Sequence, residues 1–200
     1  MTDDQTPQIY LVTPAQAALS VLEASLPRLL DEVPVACVRL APPSDPEDAV
    51  RAADTLRTIA HARDVPLVVL EAIDLVERVG LDGVHLSDGA NQVATARRTL
   101  GQEAIVGAFC GVSRHAGMTA GEHGADYIAF SAGDSTETDL FAWWSEMIEL
   151  PVVAEGGLDL SQVAALTPVV DFFALGPEVW DAEAPVDALK RYHQAMSQQP

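Results

Sequence analysis

Eight short apolar runs alternate with eight segments of helical periodicity, and this alternation constrains the fold more than any other feature. The runs are rich in Val, Ile, Leu and aromatic residues and lack polar alternation, as strands of a parallel sheet covered by helices require. The segments between them repeat apolar residues every three or four positions. Predicted strands occupy residues 8–12, 35–40, 66–70, 83–86, 105–109, 126–130, 151–155 and 171–175.

This order predicts an α/β protein with a single (β/α)₈ barrel, also called a TIM barrel, formed by residues 1–200 as one domain. A doubly wound open sheet is the alternative that the same alternation leaves open. Side chains suited to N-capping precede three of the helical segments, at Asp45, Ser113 and Asp159. Two hundred residues are enough to bury roughly 70% of the unfolded surface in one core.

Charge limits the choice of partners. The chain carries 30 acidic and 11 basic residues and a formal net charge of −19, a field that repels nucleic acid and anionic membranes. No apolar stretch approaches the ~20 residues of a membrane span, and no apolar signal region follows the acidic N-terminus. We therefore expect a cytoplasmic protein that binds neither nucleic acid nor membranes. Cys37 and Cys110 lie in apolar runs without metal-type spacing, which favours reduced core thiols.

Two strand-to-helix turns predict a phosphate site. The run 151–155 stops at two glycines, and Asp159 with Gln162 then forms a predicted capping box. The run 171–175 also stops at a glycine. Glycine lets backbone N–H groups approach an anion closely, and the loops after strands seven and eight of a (β/α)₈ barrel often bind phosphate. The predicted phosphate-binding residues are Gly156, Gly157, Leu175 and Gly176, with a ligand-free tight turn as the alternative.

Further candidates lie on the predicted strands or just after them, mostly at the C-terminal ends, where barrel chemistry is found. Arg39, His85 and Glu155 are the predicted catalytic residues, and Glu71 and Asp88 are predicted oxygen ligands for a possible Mg²⁺ ion. Alternatives remain for each: an outer-face position for Arg39, a packed hydrogen-bonded role for His85, and simple solvation for the carboxylates.

An aromatic segment opens the sixth helix. Phe141, Trp144 and Ile148 share one face, while Trp143 and Met147 share another. One face must pack on the barrel, and the second is either a homodimer contact or ordinary exposed surface.

Three stretches, 82–86, 124–130 and 151–157, resemble the thiamine phosphate synthases and the related thiazole tautomerase TenI. Their order and spacing are similar to the fourth, sixth and seventh strands of that family. The resemblance implies a role in thiamine biosynthesis, a small phosphorylated ligand, and displacement of pyrophosphate from a pyrimidine by a thiazole phosphate. It also implies Mg²⁺ on the pyrophosphate.

Several positions differ from the family pattern. Where the family has Gln, Arg and Lys on and just after the second strand, this chain has Arg39, Ala41 and Pro43. The family's Asn-Asp pair after the third strand is replaced by Leu70 and Glu71. Its second metal-binding Asp is replaced by Ala90, with Asp88 two residues away. The loop 131–139 carries acidic side chains where the family has lysine: Asp134, Glu137 and Asp139.

These changes remove positive charge from the place where pyrophosphate departs. Cations there stabilise the charge that develops in the transition state, and the sole lysine, Lys190, lies in the last predicted helix. Weak synthase activity is therefore expected. The alternatives are a non-catalytic barrel that binds a phosphorylated ligand, or an isomerase or lyase on another phosphate-binding barrel.

Overall fold

The strands close on themselves in sequence order, and β1 pairs with β8 to complete a parallel barrel. The computed structural model describes residues 6–133 and 138–197. This closure confirms the (β/α)₈ prediction and excludes the open sheet. The strands are β1 Gln8–Val12, β2 Cys37–Leu40, β3 Leu67–Leu70, β4 Gly83–Leu86, β5 Ile105–Phe109, β6 Tyr127–Ser131, β7 Val152–Glu155 and β8 Phe172–Leu175.

Helices follow the strands and cover the outside of the barrel. They are α1 Leu19–Glu32, α2 Pro46–His61, α3 Ile73–Val79, α4 Val93–Leu100, α5 Arg114–Glu122, α6 Thr138–Met147, α7 Leu160–Leu166, α8 Pro177–Trp180 and α9 Pro185–Ser197, with a 3₁₀ turn at Thr167–Val169. The three predicted N-caps, Asp45, Ser113 and Asp159, each accept backbone N–H groups from the first turn of their helix. Gln162 completes the predicted capping box. Local capping therefore sets where these helices begin.

The barrel has two apolar regions. The larger lies between strands and helices, and the smaller fills the barrel interior. Phe141 and Trp144 of α6 are fully buried against Phe130 of β6, with ring centroids 6.1 and 5.0 Å apart. Met147 is 63% exposed, and Trp143 is half-buried beneath the guanidinium group of Arg114. The first aromatic face of α6 therefore packs on the barrel, and the second faces outward.

Three aspartates tie neighbouring strands together at the N-terminal end of the barrel, which we call the floor. Each directly precedes an even-numbered strand and accepts an N–H group from the start of the strand before it. The pairs are Asp82 with Leu67 (2.7 Å), Asp126 with Val106 (2.7 Å) and Asp171 with Val152 (2.8 Å). Asp126 also accepts from Arg97, whose side chain is largely buried. These carboxylates satisfy backbone donors where the barrel begins.

Two further expectations concern thiols and membranes. Cys37 and Cys110 are both free, and Cys110 is buried, as predicted for core cysteines. Burial raises the pKa of the Cys110 thiol to about 11. Within residues 6–133 and 138–197, no helix has the length and apolar character needed to cross a membrane.

Candidate active site

Five polar side chains from five strands meet inside the barrel, and we call them the lumen cluster. Four of them are almost fully buried, whereas the carboxylate at the end of β7 keeps partial contact with solvent. The members are Tyr10 of β1, Arg39 of β2, His85 of β4, Tyr127 of β6 and Glu155 of β7. The closed barrel therefore brings all three predicted catalytic residues together.

Arg39 and Glu155 form a two-bond ion pair. Arg39 Nη1 donates to Glu155 Oε2 at 3.0 Å, and Nη2 donates to Oε1. Burial is the largest single influence on Arg39 and lowers its pKa, but the hydrogen bonds to Glu155 and the neighbouring negative charge together outweigh burial, so the net shift is upward and the guanidinium stays charged. A buried guanidinium requires such a partner, and the outer-face alternative for Arg39 is thereby excluded. Within the described residues, Arg39 Nε has no hydrogen-bond partner.

His85 ends a chain of hydrogen bonds that starts at Tyr10. The hydroxyl oxygens of Tyr10 and Tyr127 are 2.6 Å apart, and His85 Nδ1 lies 2.9 Å from the Tyr127 hydroxyl. Burial, together with the charge of Arg39, lowers the pKa of His85 well below its ordinary value. The imidazole is therefore neutral, and one of its two nitrogens is an acceptor.

The donors and acceptors around His85 are compatible with only one tautomer of its imidazole. Tyr10 donates to Tyr127, and Tyr127 donates to His85 Nδ1, because no other acceptor for the Tyr10 hydroxyl lies among the described residues. The proton of His85 is then on Nε2, which faces Glu155 Oε2 at 3.8 Å. The reverse order would direct a nitrogen lone pair at a carboxylate. His85 is thus packed and hydrogen-bonded, as the alternative interpretation of this residue predicted. It also presents an N–H group towards Glu155.

A glycine on the neighbouring strand makes room for this arrangement. A Cβ atom on Gly107 of β5 would lie 2.0 Å from Cζ of Tyr127, so only glycine at that position lets the phenol enter the barrel interior. The ring of Tyr127 then stacks on the imidazole of His85, with centroids 5.7 Å apart and an interplanar angle of 23°.

Sequence reasoning missed three residues of the site: Tyr10, Tyr127 and Glu178. Alternation along β1 and β6 directs both tyrosines inward, so counting every second residue from a predicted inward position could have found them. Glu178 follows a glycine and a proline at the start of a helix, where an acidic residue often caps N–H groups.

The predicted phosphate loops lie at the opposite end from the floor, which we call the mouth. Gly156 and Gly157 have φ angles of 89° and 65°, in the left-handed region that glycine tolerates best. The Glu178 carboxylate accepts from Gly176 N–H at 2.9 Å and from Leu158 N–H at 3.3 Å. Leu175 is the last residue of β8, and its side chain is buried. The two loops therefore come together, with a carboxylate between them.

The predicted metal ligands have protein partners. Glu71, directly after β3, has a φ of 62°, and its Oε1 accepts from Ser87 N–H at 3.0 Å. Asp88 Oδ2 accepts from Gln92 Nε2 at 3.1 Å. In the described part of the chain, no group of three or more His, Cys, Asp or Glu side chains could hold a metal. Mg²⁺ commonly binds through one or two carboxylates with water and phosphate oxygens, a donor set that Glu71 and Asp88 could join.

The predicted acidic loop after β6 lies only partly within the described residues. Asp134 and Glu137 lie outside the described residues, and Asp139 is in the first turn of α6.

The chain is similar in sequence to proteins of a known family. The family model described as thiamine monophosphate synthase matches residues 9–175. The thiamine-phosphate synthase of Rhodospirillum centenum is 37% identical, over 94% of this chain and 97% of its own length. That of Erythrobacter litoralis is 39% identical, over 70% of this chain and 71% of its own. Both are similar along most of the barrel.

Solved structures share the architecture. Thiamine phosphate pyrophosphorylase from Pyrococcus furiosus superimposes with a TM-score of 0.82 at 20% identity, covering 97% of each chain. A structure of KGPDC from Streptococcus mutans reaches 0.79 at 14% identity, over 96% of this chain and 98% of its own. These likenesses support the fold, while the family match extends from β1 to the end of β8. The chain belongs to the thiamine monophosphate synthase family, which acts in thiamine biosynthesis.

Proposed function

We propose that this chain binds a phosphorylated thiamine-related molecule at the mouth of the barrel. The observation that carries the proposal is the position of the Glu178 carboxylate, which accepts N–H groups from both the β7 and the β8 loop. Donors from two loops that converge on one carboxylate are arranged to hold an oxyanion. Gly156, Gly157, Leu175 and Gly176 would supply the backbone around the phosphate.

The lumen cluster would lie beneath the reacting part of that ligand. Arg39 is the cation of the cluster, and Glu155 holds it in a fixed orientation. His85 presents Nε2–H upward, towards Glu155, and its neutral state makes it a hydrogen-bond donor rather than a second positive charge. The three side chains would therefore orient a ligand by hydrogen bonds and exclude water from the lower part of the site.

The synthase reaction needs positive charge, because the departing pyrophosphate gains negative charge as its bond breaks. The names of the relatives favour this reaction, whereas the pairing of Arg39 with Glu155 disfavours it, since the carboxylate offsets the only cation of the cluster. A Mg²⁺ ion on Glu71 and Asp88 would supply further positive charge to the pyrophosphate. We propose weak synthase turnover, with ligand binding as the retained activity.

Turnover of hydroxymethylpyrimidine pyrophosphate with thiazole phosphate, measured with and without Mg²⁺, tests this proposal. We expect a rate at least two powers of ten below the median enzyme rate of about 10 s⁻¹. A rate near that median would refute weak turnover. In that case Arg39→Ala should abolish the rate, while Lys190→Ala should not, because Lys190 pairs with Glu32 on the outside of the barrel.

Binding is tested separately from turnover by calorimetry with thiazole phosphate. Gly157→Val should remove binding, because valine at a φ of 65° strains the loop that presents the N–H groups. Equal affinity in wild type and Gly157→Val would refute the phosphate site. Binding without turnover would identify the non-catalytic barrel, the second candidate, which the Arg39–Glu155 pair favours.

The proposed single domain, homodimer and cytoplasmic location can each be measured separately. One domain over residues 1–200 predicts a single unfolding transition. A homodimer through Trp143 and Met147 predicts twice the monomer mass in solution and its loss in Met147→Lys. A cytoplasmic location predicts recovery in the soluble cell fraction.

A further inference from the structure

Glu178 makes a contact that local capping does not require. Its bond to Gly176 N–H spans two residues and is an ordinary arrangement at a helix start. Its bond to Leu158 N–H spans 20 residues and joins the loop after β7 to the loop after β8. One half-buried carboxylate thus occupies donors of both loops.

One of the two donors, the N–H group of Leu158, belongs to a residue that the last helix holds in place. Tyr192 of α9 donates its hydroxyl proton to the Leu158 carbonyl at 2.8 Å, which orients the residue whose N–H group faces Glu178. Burial raises the pKa of Tyr192, and the negative charge of Glu178 raises it further. The loop is therefore prepared for an acceptor, and Glu178 fills that place in the free protein.

A phosphate group and the Glu178 carboxylate cannot share these donors. Both are anions that need the same N–H hydrogens, and two negative charges within a few ångströms repel each other strongly in a partly buried site. Binding of phosphate would require the carboxylate to leave. When only a fraction of the protein is competent to bind, the apparent affinity falls by that fraction.

We infer that Glu178 competes with the phosphate group of the ligand for the N–H groups of Leu158 and Gly176, and thereby lowers the affinity of this site for phosphate. The inference rests on the proposed function, because it assumes a phosphate site at these loops. Its consequence is a higher threshold for binding, because displacement of the carboxylate costs every phosphate the same free energy and leaves free inorganic phosphate, which has few other contacts, weakly bound. A ligand with a heteroaromatic body gains additional contacts and displaces it. The residue thereby raises the concentration of inorganic phosphate that is needed to occupy the site.

The test is a titration with inorganic phosphate, followed by the ¹⁵N amide signals of Gly176 and Leu158. We compare wild type with Glu178→Ala, which frees both donors, and with Glu178→Gln, which keeps an acceptor oxygen without the charge. Glu183→Gln is the matched control, since it removes the same charge from an exposed residue five positions away.

We expect Glu178→Ala to bind inorganic phosphate at least about tenfold more tightly than wild type, in the range of ordinary coupling between two ligands. Glu178→Gln should fall between them, and Glu183→Gln should stay within about twofold of wild type. The amide shifts should centre on Gly176 and Leu158. If Glu178→Ala does not fold, Glu178→Gln gives the comparison, because it preserves the size of the side chain.

Two outcomes overturn the inference and differ in what else they overturn. Phosphate that shifts the two amides equally well in wild type and in both Glu178 variants removes the competition and leaves the phosphate site standing. Phosphate that shifts them in no variant removes both the competition and the proposed site.

Discussion

Carboxylates accept hydrogen bonds at both the floor and the mouth of the barrel, but the bonds serve different purposes. At the floor, the carboxylates of Asp82, Asp126 and Asp171 accept N–H groups at the starts of strands. Towards the mouth, Glu155 accepts from the Arg39 guanidinium, and Glu178 accepts from two loop N–H groups. Carboxylates thus satisfy donors at both ends, but only the second group of donors faces the place where a ligand is proposed to bind.

The comparison teaches that an acidic chain can satisfy its own anion-binding groups. An aspartate at the floor holds donors that no ligand needs, so its removal costs stability and nothing replaces it. A glutamate near the mouth holds donors suited to phosphate, so an added anion can take its place. Recovery of stability on adding an anion therefore distinguishes a carboxylate near the mouth from one at the floor better than the loss of stability itself does.

The largest effect is expected for Glu155→Ala. Removing one partner of a buried ion pair leaves an unpaired charge on Arg39 and costs about 3 kcal/mol of the free energy of unfolding. Pyrophosphate should restore part of that loss by binding the freed guanidinium. Urea denaturation with and without millimolar pyrophosphate measures both effects. A loss without any pyrophosphate rescue would place Glu155 with the floor aspartates.

Asp126→Ala is expected to cost about 2 kcal/mol, because Val106 N–H and part of the buried Arg97 lose their acceptor. Pyrophosphate should stabilise this variant no more than it stabilises wild type. The matched control is Asp74→Ala, an exposed residue of α3, which should stay within about 0.5 kcal/mol of wild type. Selective rescue of Asp126→Ala by an anion would break the distinction between the two ends.

The lumen cluster also predicts a pH dependence of stability, through His85. The pKa of His85 is lowered by burial and by Arg39, so below about pH 6.5 the unfolded chain takes up a proton that the folded chain refuses. Stability should therefore fall as pH decreases from 6.5 towards the lowered pKa, by at most about 1.4 kcal/mol per pH unit. Above pH 6.5 the residue should contribute no pH dependence.

The variant His85→Asn isolates this contribution, because asparagine keeps an acceptor for Tyr127 and does not titrate. Its free energy of unfolding should depend less on pH between 6.5 and 5 than that of wild type. The exposed His115→Asn should reproduce the wild-type dependence. Identical curves for wild type and His85→Asn would show that the lumen cluster accepts the proton.

The smallest effect on stability is expected for Glu178→Ala, about 1 kcal/mol or less, because its two bonds lie in a half-buried position that water can reach. Urea denaturation measures it alongside Asp171→Ala, a floor carboxylate with one backbone donor at 2.8 Å. A loss for Glu178→Ala greater than that of Asp171→Ala would give Glu178 a structural role equal to that of the floor.

Local sequence patterns determined most of the backbone. Unalternating apolar runs predicted all eight strands, and capping side chains such as Asp45 and Asp159 predicted helix starts that the structure confirms. The glycines at 156 and 157 predicted a turn between strand and helix, and both lie in such a turn, with backbones in the left-handed region. These features depend on residues within a few positions of one another, so their signals are readable along the chain.

Only the tertiary structure decided which side chains meet. Arg39 and Glu155 were both predicted as catalytic residues, but they are 116 residues apart in the sequence, and closure of the barrel joins them. The same closure places Tyr10 against Tyr127, at a separation of 117 residues, in the space left by Gly107. Glu178 reaches Leu158 only because the β7 and β8 loops are adjacent. Such contacts are set by strand order and register, which no local pattern contains.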